Sequence, residues 1–299
     1  MKAISSFNSI SLLLAVVALV AGMYFDGLRL QRLVKIGGYK LSIRAVLRVI
    51  FSNYFMAMLT PGASGGAVAQ VLVLRSYGVP ISKGTPIVLI RTVFSIMFLV
   101  IMLPLVFLRD AIEIPYISRD MLLIFAVLAV IAALVGTYIL QTKYMRQFVY
   151  NLAQRFKAHN TKDWLSKLET LNQGLGLLYK QPVQSLIVFI ESGLSLLCLY
   201  CIAPALMYAF TPDIPIIDIL DRMILLNLIL YFAPTPGGTG IAEGLFVVLF
   251  SAFVPNGTVG IIAVGWRVVA EYMPFFIGMY AVLTLYGRQF VAQETSREQ

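Results

Sequence analysis

The chain has 299 residues, of which 60% are hydrophobic and 12% charged, and its mean hydropathy is +0.87. A soluble domain carries roughly 25% charged residues, so this composition excludes a water-soluble globular protein and indicates a polytopic membrane protein. The formal net charge of +9 does not point to nucleic acid, because the basic residues fall between apolar runs instead of gathering into one patch.

In chain order, apolar runs of about 20 residues or more, the length that spans a bilayer, cover 8–28, 84–108, 120–141, 182–210 and 258–286. The first resembles a secretory signal, but it lacks a small-residue cleavage site and is followed by Arg29, Arg32 and Lys35, so it is read as a retained helix. Two further pairs, 43–59 with 64–78 and 215–233 with 240–254, are too short to span comfortably. Each pair is joined by a Thr-Pro-Gly break: Thr60-Pro61-Gly62 with Ser64, Gly65 and Gly66, and Thr235-Pro236-Gly237 with Gly238, Thr239 and Gly240. Proline and glycine free backbone polar groups, which membranes tolerate only where protein or a watery cavity receives them. Both pairs are therefore predicted to be re-entrant helical hairpins.

Charge bias orients the chain. Arg29, Arg32, Lys35, Lys40, Arg44 and Arg48 lie in one predicted linker, Arg75 and Lys83 beside it, and Lys143, Arg146, Arg155, Lys157, Lys162, Lys167 and Lys180 in another. The positive-inside rule places these in the cytoplasm of a cell-membrane protein. The loops near Asp110–Asp120 and Asp213–Asp221 are acid-rich and face outward. This threading puts the N-terminus outside, the C-terminus in the cytoplasm, and the two hairpins on opposite faces. The breaks are 175 positions apart, the same offset aligns Val79-Pro80 with Val254-Pro255, and Arg91 falls one residue short of matching Arg267.

The predicted fold class is thus all-α, with two inverted-topology repeats that each contain a re-entrant hairpin. Residues 1–299 form a single transmembrane transporter domain, with repeat one about 30–141, repeat two about 182–286, and a cytoplasmic amphipathic linker over 142–181.

Helices predicted to start near Gly65–Ala67 and Thr239–Ile241 would aim unpaired N-terminal amides at the bilayer centre, where they favour an anion. Gly62, Gly65, Gly66, Gly237, Gly238 and Gly240 allow close backbone approach, and Thr60, Ser64, Thr235 and Thr239 add hydroxyls. The same glycines also suit tight turns and helix packing. Arg91 and Arg267 lie deep enough in their spans to need an anionic partner, either a lipid phosphate or an internal carboxylate from Glu243, Glu191 or Glu271. Glu243 sits where the helix dipole favours a carboxylate, and Glu243, Glu271 and Glu191 are candidates for proton or ion coupling.

Other chemistry finds little support. His159 stands alone in the basic linker, so no metal cluster or Ser-His-Asp triad is expected, and Cys198 and Cys201 read as buried small residues of an apolar helix. No Walker sequence occurs. Neither a cofactor nor a metal is expected.

Asn53, Thr60-Pro-Gly-Ala-Ser-Gly-Gly66, Arg91, Pro234-Thr-Pro-Gly-Gly-Thr-Gly-Ile-Ala-Glu243, Arg267 and Pro274 to Gly278 together resemble the flippase-like family. This is the membrane domain of bacterial lysyl-phosphatidylglycerol synthase/flippases and their stand-alone bacterial and archaeal relatives, and the similarity runs from about residue 8 to 286. The resemblance implies a lipid flippase or scramblase moving an anionic or modified-headgroup lipid, of phospholipid or polyprenyl-phosphate type. Asn53, Thr60, Pro61, Gly62, Ser64, Gly65, Gly66, Arg91, Thr235, Pro236, Gly237, Gly238, Thr239, Gly240 and Arg267 are the substrate-site candidates. Gln70 departs from the family, which often has a basic residue there. With no synthase domain visible before Gln299, a transporter without catalytic residues is expected, together with membrane lipids and a separate lipid-modifying enzyme as partners. A membrane-embedded lipid-modifying transferase using Glu243, Asp213, Asp218 or Asp221, and an ion-coupled small-solute transporter, are the alternatives.

Overall fold

A computed structural model describes residues 8–109 and 181–295, with scattered helical positions from 120 to 131 and at 169 and 176; side chains are described to residue 285. The described residues are all-helical. They form α1 (Ser9–Ile36), α2 (Ile43–Leu59), α3 (Ser64–Ser76), α4 (Ile81–Leu108), α5 (Pro182–Tyr200), α6 (Ile202–Met207), α7 (Ile216–Leu230), α8 (Ile241–Phe250), α9 (Val259–Arg267) and α10 (Met273–Thr295). A short 3₁₀ turn, Ser251–Phe253, follows α8, and a π turn, Val268–Tyr272, joins α9 to α10.

Four stretches are long and apolar enough to cross a membrane: Ser9–Ile36, Ile81–Leu108, Pro182–Met207 and Val259–Leu285. They match four of the five expected spans; the fifth, 120–141, and the linker at 142–181 with His159 lie almost wholly outside the described residues. Proline shapes two of the four. Pro204 has no N–H to offer the Tyr200 carbonyl, and the helix breaks at Cys201 between α5 and α6. Pro274 likewise follows the π turn that interrupts Val259–Leu285.

The first helix corrects the sequence reading. Asn8 caps its start by accepting from the Ile10 amide at 3.3 Å, but nothing stops it at residue 28. It runs to Ile36, where Gly37 and Gly38 end it, so Arg29 and Arg32 belong to the helix and not to a linker. Arg29 is buried. It therefore leaves the group of basic residues used for orientation.

Among the described residues two large hydrophobic cores, beside a small one at Leu103, Phe107 and Ala126, hold the helices together, and α1 serves both large ones. Ala15 and Leu19 from its first half join Leu206, Met223, Phe246, Phe250 and Trp266, whereas Leu30, Leu33 and Val34 from its second half join Val46, Ile50, Leu74 and Ile87. Helix α4 is split the same way, with Ile87, Ile90 and Phe94 in one core and Phe98, Leu99 and Val106 in the other. Where α1 meets α5 the backbones approach closely: a Cβ at Gly22 would stand 2.7 Å from Leu199, and the Ser195 hydroxyl donates to the Gly22 carbonyl at 2.9 Å. Large apolar side chains face outward on α1 (Leu13, Val17, Val20), α5 (Val183, Leu186) and α10 (Phe276, Leu283), the surface expected of helices bathed in lipid.

The two short pairs form helix–turn–helix units. Helices α2 and α3, of 17 and 13 residues, pack against one another, and so do α7 and α8, of 15 and 10. Each is shorter than the ~20 residues of a full crossing.

Candidate functional site

The two breaks share one local geometry. In the first, the Ala63 amide donates to the Thr60 carbonyl at 3.2 Å, and both the amide and the hydroxyl of Ser64 donate to the Pro61 carbonyl. In the second, the Gly238 amide donates to the Thr235 carbonyl at 3.0 Å, and both the amide and the hydroxyl of Thr239 donate to the Pro236 carbonyl. Left-handed backbone follows each proline, at Gly62 and Ala63 and at Gly237 and Gly238, with φ of 61° and 53°, then 58° and 68°. Ala63 bears a Cβ in a region that glycine occupies freely, an ordinary residue only at a cost. The units then diverge. Helix α3 starts at Ser64, but α8 starts at Ile241, two residues beyond the equivalent position.

The breaks also meet in space. Pro61 and Pro236 form a single isolated antiparallel bridge, and a Cβ at Gly237 would lie 2.5 Å from the Met58 sulfur. Sequence-distant turns thus form one junction. The glycines there do different work. Gly66 lets α3 lie against α2, since a Cβ would run into Asn53, whereas Gly62 faces open space.

Of the four hydroxyls expected at the site, three are tied into the turns. Thr60 donates to the Met56 carbonyl and accepts from the Gly65 amide, both at 2.8 Å, while Ser64 and Thr239 donate to proline carbonyls. Thr235 differs: its hydroxyl oxygen is buried and has no protein partner among the described residues.

Behind the first break lies a buried polar cluster. Arg91 on α4 reaches Asp26 on α1 with two nitrogens, Nε at 3.1 Å, and its Nη1 donates to Gln70 on α3. Gln70 in turn donates from Nε2 to Asn53 on α2 at 2.8 Å. Arg29 donates from Nε to the same Asp26 carboxylate at 2.5 Å and from Nη1 to the Ser95 hydroxyl at 2.8 Å. Asp26, Arg29, Gln70, Arg91 and Ser95 are each 6% exposed or less. Two guanidiniums therefore share one carboxylate. Among the described residues this cluster carries one positive charge in excess.

Behind the second break the ratio is reversed. Arg267, 1% exposed, donates from Nε to Glu243 at 2.8 Å, from Nη1 to Glu271, and from Nη2 to the Gly237 carbonyl at 2.9 Å. The other Glu243 oxygen accepts from the Gly240 amide at 2.6 Å, so Glu243 caps α8 while gripping Arg267. One guanidinium here holds two carboxylates, a single negative charge in excess.

The partners of Arg267 are thus Glu243 and Glu271, two of the three acids expected. Arg91 takes none of the three. Its carboxylate is Asp26, which sequence reasoning missed although the i, i+3 spacing of Asp26 and Arg29 was visible. Glu191 lies elsewhere, bound through both oxygens to Arg32, which also donates to Gln184. Arg32 also borders a cavity of about 430 Å³ that it lines with Leu28, Gln31, Lys35, Ile36, Gln181 and Gln184, between the end of α1 and the start of α5. Gln70, the noted departure from the basic residue that the resemblance would imply, is a neutral relay between Arg91 and Asn53. Among the described residues no cluster of three or more His, Cys, Asp or Glu could hold a metal, and Cys198 and Cys201 are unbridged.

The comparisons agree with this membrane architecture. A membrane protein of Archaeoglobus fulgidus, designated UPF0104, is 22% identical over 288 residues, covering 92% of this chain and 86% of the relative. The family model described as "Lysylphosphatidylglycerol synthase TM region" matches residues 1–278. With nearly its whole length matched, the chain belongs to the lysylphosphatidylglycerol synthase transmembrane-region family.

Proposed function

We propose that the protein moves a lipid with an anionic headgroup, a phospholipid or polyprenyl phosphate, between the leaflets of the cell membrane. The observation that carries this is the junction of the two breaks at Pro61 and Pro236, backed on one side by a buried cluster with an unbalanced guanidinium. A buried excess positive charge is costly in a bilayer unless an anion visits it. A phosphate suits paired guanidiniums, whose planar forks bind its oxygens bidentately. In the absence of lipid, the Asp26 carboxylate occupies that position. The partnerless Thr235 hydroxyl supplies a further donor at the junction.

In this reading the helix–turn–helix units are re-entrant hairpins of two inverted repeats, entering from opposite faces. The shared hydrogen-bond pattern of the breaks supports the repeat, and the charge bias of the loops supports an external N-terminus and a cytoplasmic C-terminus. Alternating exposure of the junction would pass the headgroup across while the acyl chains stay in lipid. The chain acts as a transporter and not an enzyme, with any modification of the lipid made by a separate protein. The cavity beside Arg32 and Lys35 offers a basic approach from the cytoplasmic side.

The test is leaflet exchange of labelled lipids in proteoliposomes. Protein-dependent exchange of anionic lipids, slowed at least tenfold in R91A, is expected; no exchange across a panel of phospholipids and polyprenyl phosphates would refute the reading. Uptake of a water-soluble solute with no lipid exchange would favour the small-solute alternative, and covalent change of the lipid headgroup would favour the transferase.

A further inference from the structure

The opposite charge parity of the two clusters carries a second conclusion, which rests on the proposed lipid transport. We infer that Glu271 is a proton-binding site, and that the protein carries one proton together with each anionic headgroup. The cluster at Asp26, Arg29 and Arg91 lacks one negative charge, and the cluster at Arg267, Glu243 and Glu271 lacks one positive charge. A singly charged headgroup at the first and a proton at the second leave both neutral. Either alone leaves one cluster charged, buried at Asp26 or half-buried at Glu271, which low-dielectric surroundings disfavour.

Geometry selects Glu271 over Glu243. Both Glu243 oxygens are committed, one to Arg267 and one to the Gly240 amide. Glu271 gives only Oε2 to Arg267, and its Oε1 has no protein donor among the described residues. Its side chain retains 22% exposure, while the Arg267 guanidinium beside it is 1% exposed. A proton can therefore bind Oε1 while Oε2 keeps its hydrogen bond to Arg267; the Arg267–Glu271 ion pair becomes a hydrogen bond to a neutral acid, and Arg267 stays balanced by Glu243. The only bond made is that O–H, and it is broken again when the proton returns to water on the other face.

The setting of Glu271 fits such a role. It lies in the π turn Val268–Tyr272, and π turns inside α-helices are frequent at functional sites. The charged groups acting on it are Arg267 from α9 and Glu243 from α8. The Tyr54 phenol from α2 is within electrostatic reach of Glu271 and also of Asp26, Arg29 and Arg91. Asp26 and Arg29 of α1, which also packs on the π turn, pair with each other, and α10 adds Tyr280 as its one titratable side chain among those described.

Two measurements on the full chain test this. In lipid nanodiscs titrated from about pH 5 to about pH 9, the infrared C=O stretch of a protonated carboxylic acid should appear and vanish with pH, be lost in E271Q and persist in E191Q. An unchanged band in E271Q, or no titrating band in the wild-type protein, overturns the proton site. In proteoliposomes holding a labelled anionic lipid, a gradient of about one pH unit should shift the steady-state leaflet ratio about tenfold, the shift of one-to-one coupling. Clamping the membrane potential should leave that shift unaltered. Exchange that ignores the pH gradient overturns the coupling while lipid transport stands. If no lipid exchanges at all, the transport reading fails, and the infrared band alone decides the proton site.

Discussion

Met58, at the end of α2, presses its sulfur into the space that a side chain at Gly237 would need, so one break is keyed into the other. The contact joins segments that share neither a helix nor a core. It makes the junction a mechanical unit, because a shift of either turn is felt by the other.

Gly237→Ala should therefore be among the more damaging single substitutions at the junction. It puts a Cβ at φ 58° and against Met58 together. A loss of about 2–3 kcal/mol is expected from the two causes. Adding Met58→Ala should recover only the steric share, and thermal unfolding of both variants and the double mutant would separate the parts.

Ala63→Gly should move stability the other way. Ala63 is the only described residue other than glycine with positive φ, and its counterpart in the second break is Gly238. Relief of the left-handed strain is expected to add up to about 1 kcal/mol, read as a raised midpoint in detergent.

Thr60→Val and Thr235→Val should split cleanly. The first removes a hydroxyl that both donates and accepts, and should cost about 1–2 kcal/mol. The second removes a buried hydroxyl without a protein partner, and should leave thermal stability within about 0.5 kcal/mol. If Thr235 serves the transported headgroup, exchange in proteoliposomes should nonetheless slow several-fold.

Asp26→Asn should be severe. It leaves Arg29 and Arg91 buried together with no carboxylate between them, and removing one partner of a buried ion pair costs about 3–5 kcal/mol. The double variant Asp26→Asn with Arg29→Gln should recover much of this, measured by the yield of monodisperse protein and its unfolding midpoint.

Much of this arrangement was legible in the sequence because its cause is local. Proline and glycine announce a break wherever they fall, so both helix pairs were bounded to within a few residues: 64–78 against Ser64–Ser76, and 240–254 against Ile241–Phe253. Glu243 and Glu271 were in view, with Glu191, as carboxylates for the two deep arginines, and both lie on the same stretch of chain as Arg267, the one they hold. Asp26 did not, because Arg29, Arg32 and Lys35 after it look like the basic border of a span. Only packing against α4 and α5 reveals that the helix continues through them. Glu191 and Arg32 are 159 positions apart, and nothing local couples them. The pairing of Pro61 with Pro236 could be suspected from the repeat, but contact between two turns is a property of the assembled helices alone.

The i, i+3 pair of Asp26 and Arg29 bears on how the chain enters the bilayer. These two residues emerge from the ribosome well before Arg91, and a helix offering a lone aspartate or arginine to lipid would be rejected toward water at a cost of about 2.5–3.5 kcal/mol for each charge. Because each neutralises the other one helical turn away, α1 can be handed to the membrane as an electrically balanced segment and wait there. Arg91 then arrives as the later guest. It is accommodated by a carboxylate that already has an occupant, and the surplus charge comes into being only when the fourth helix docks.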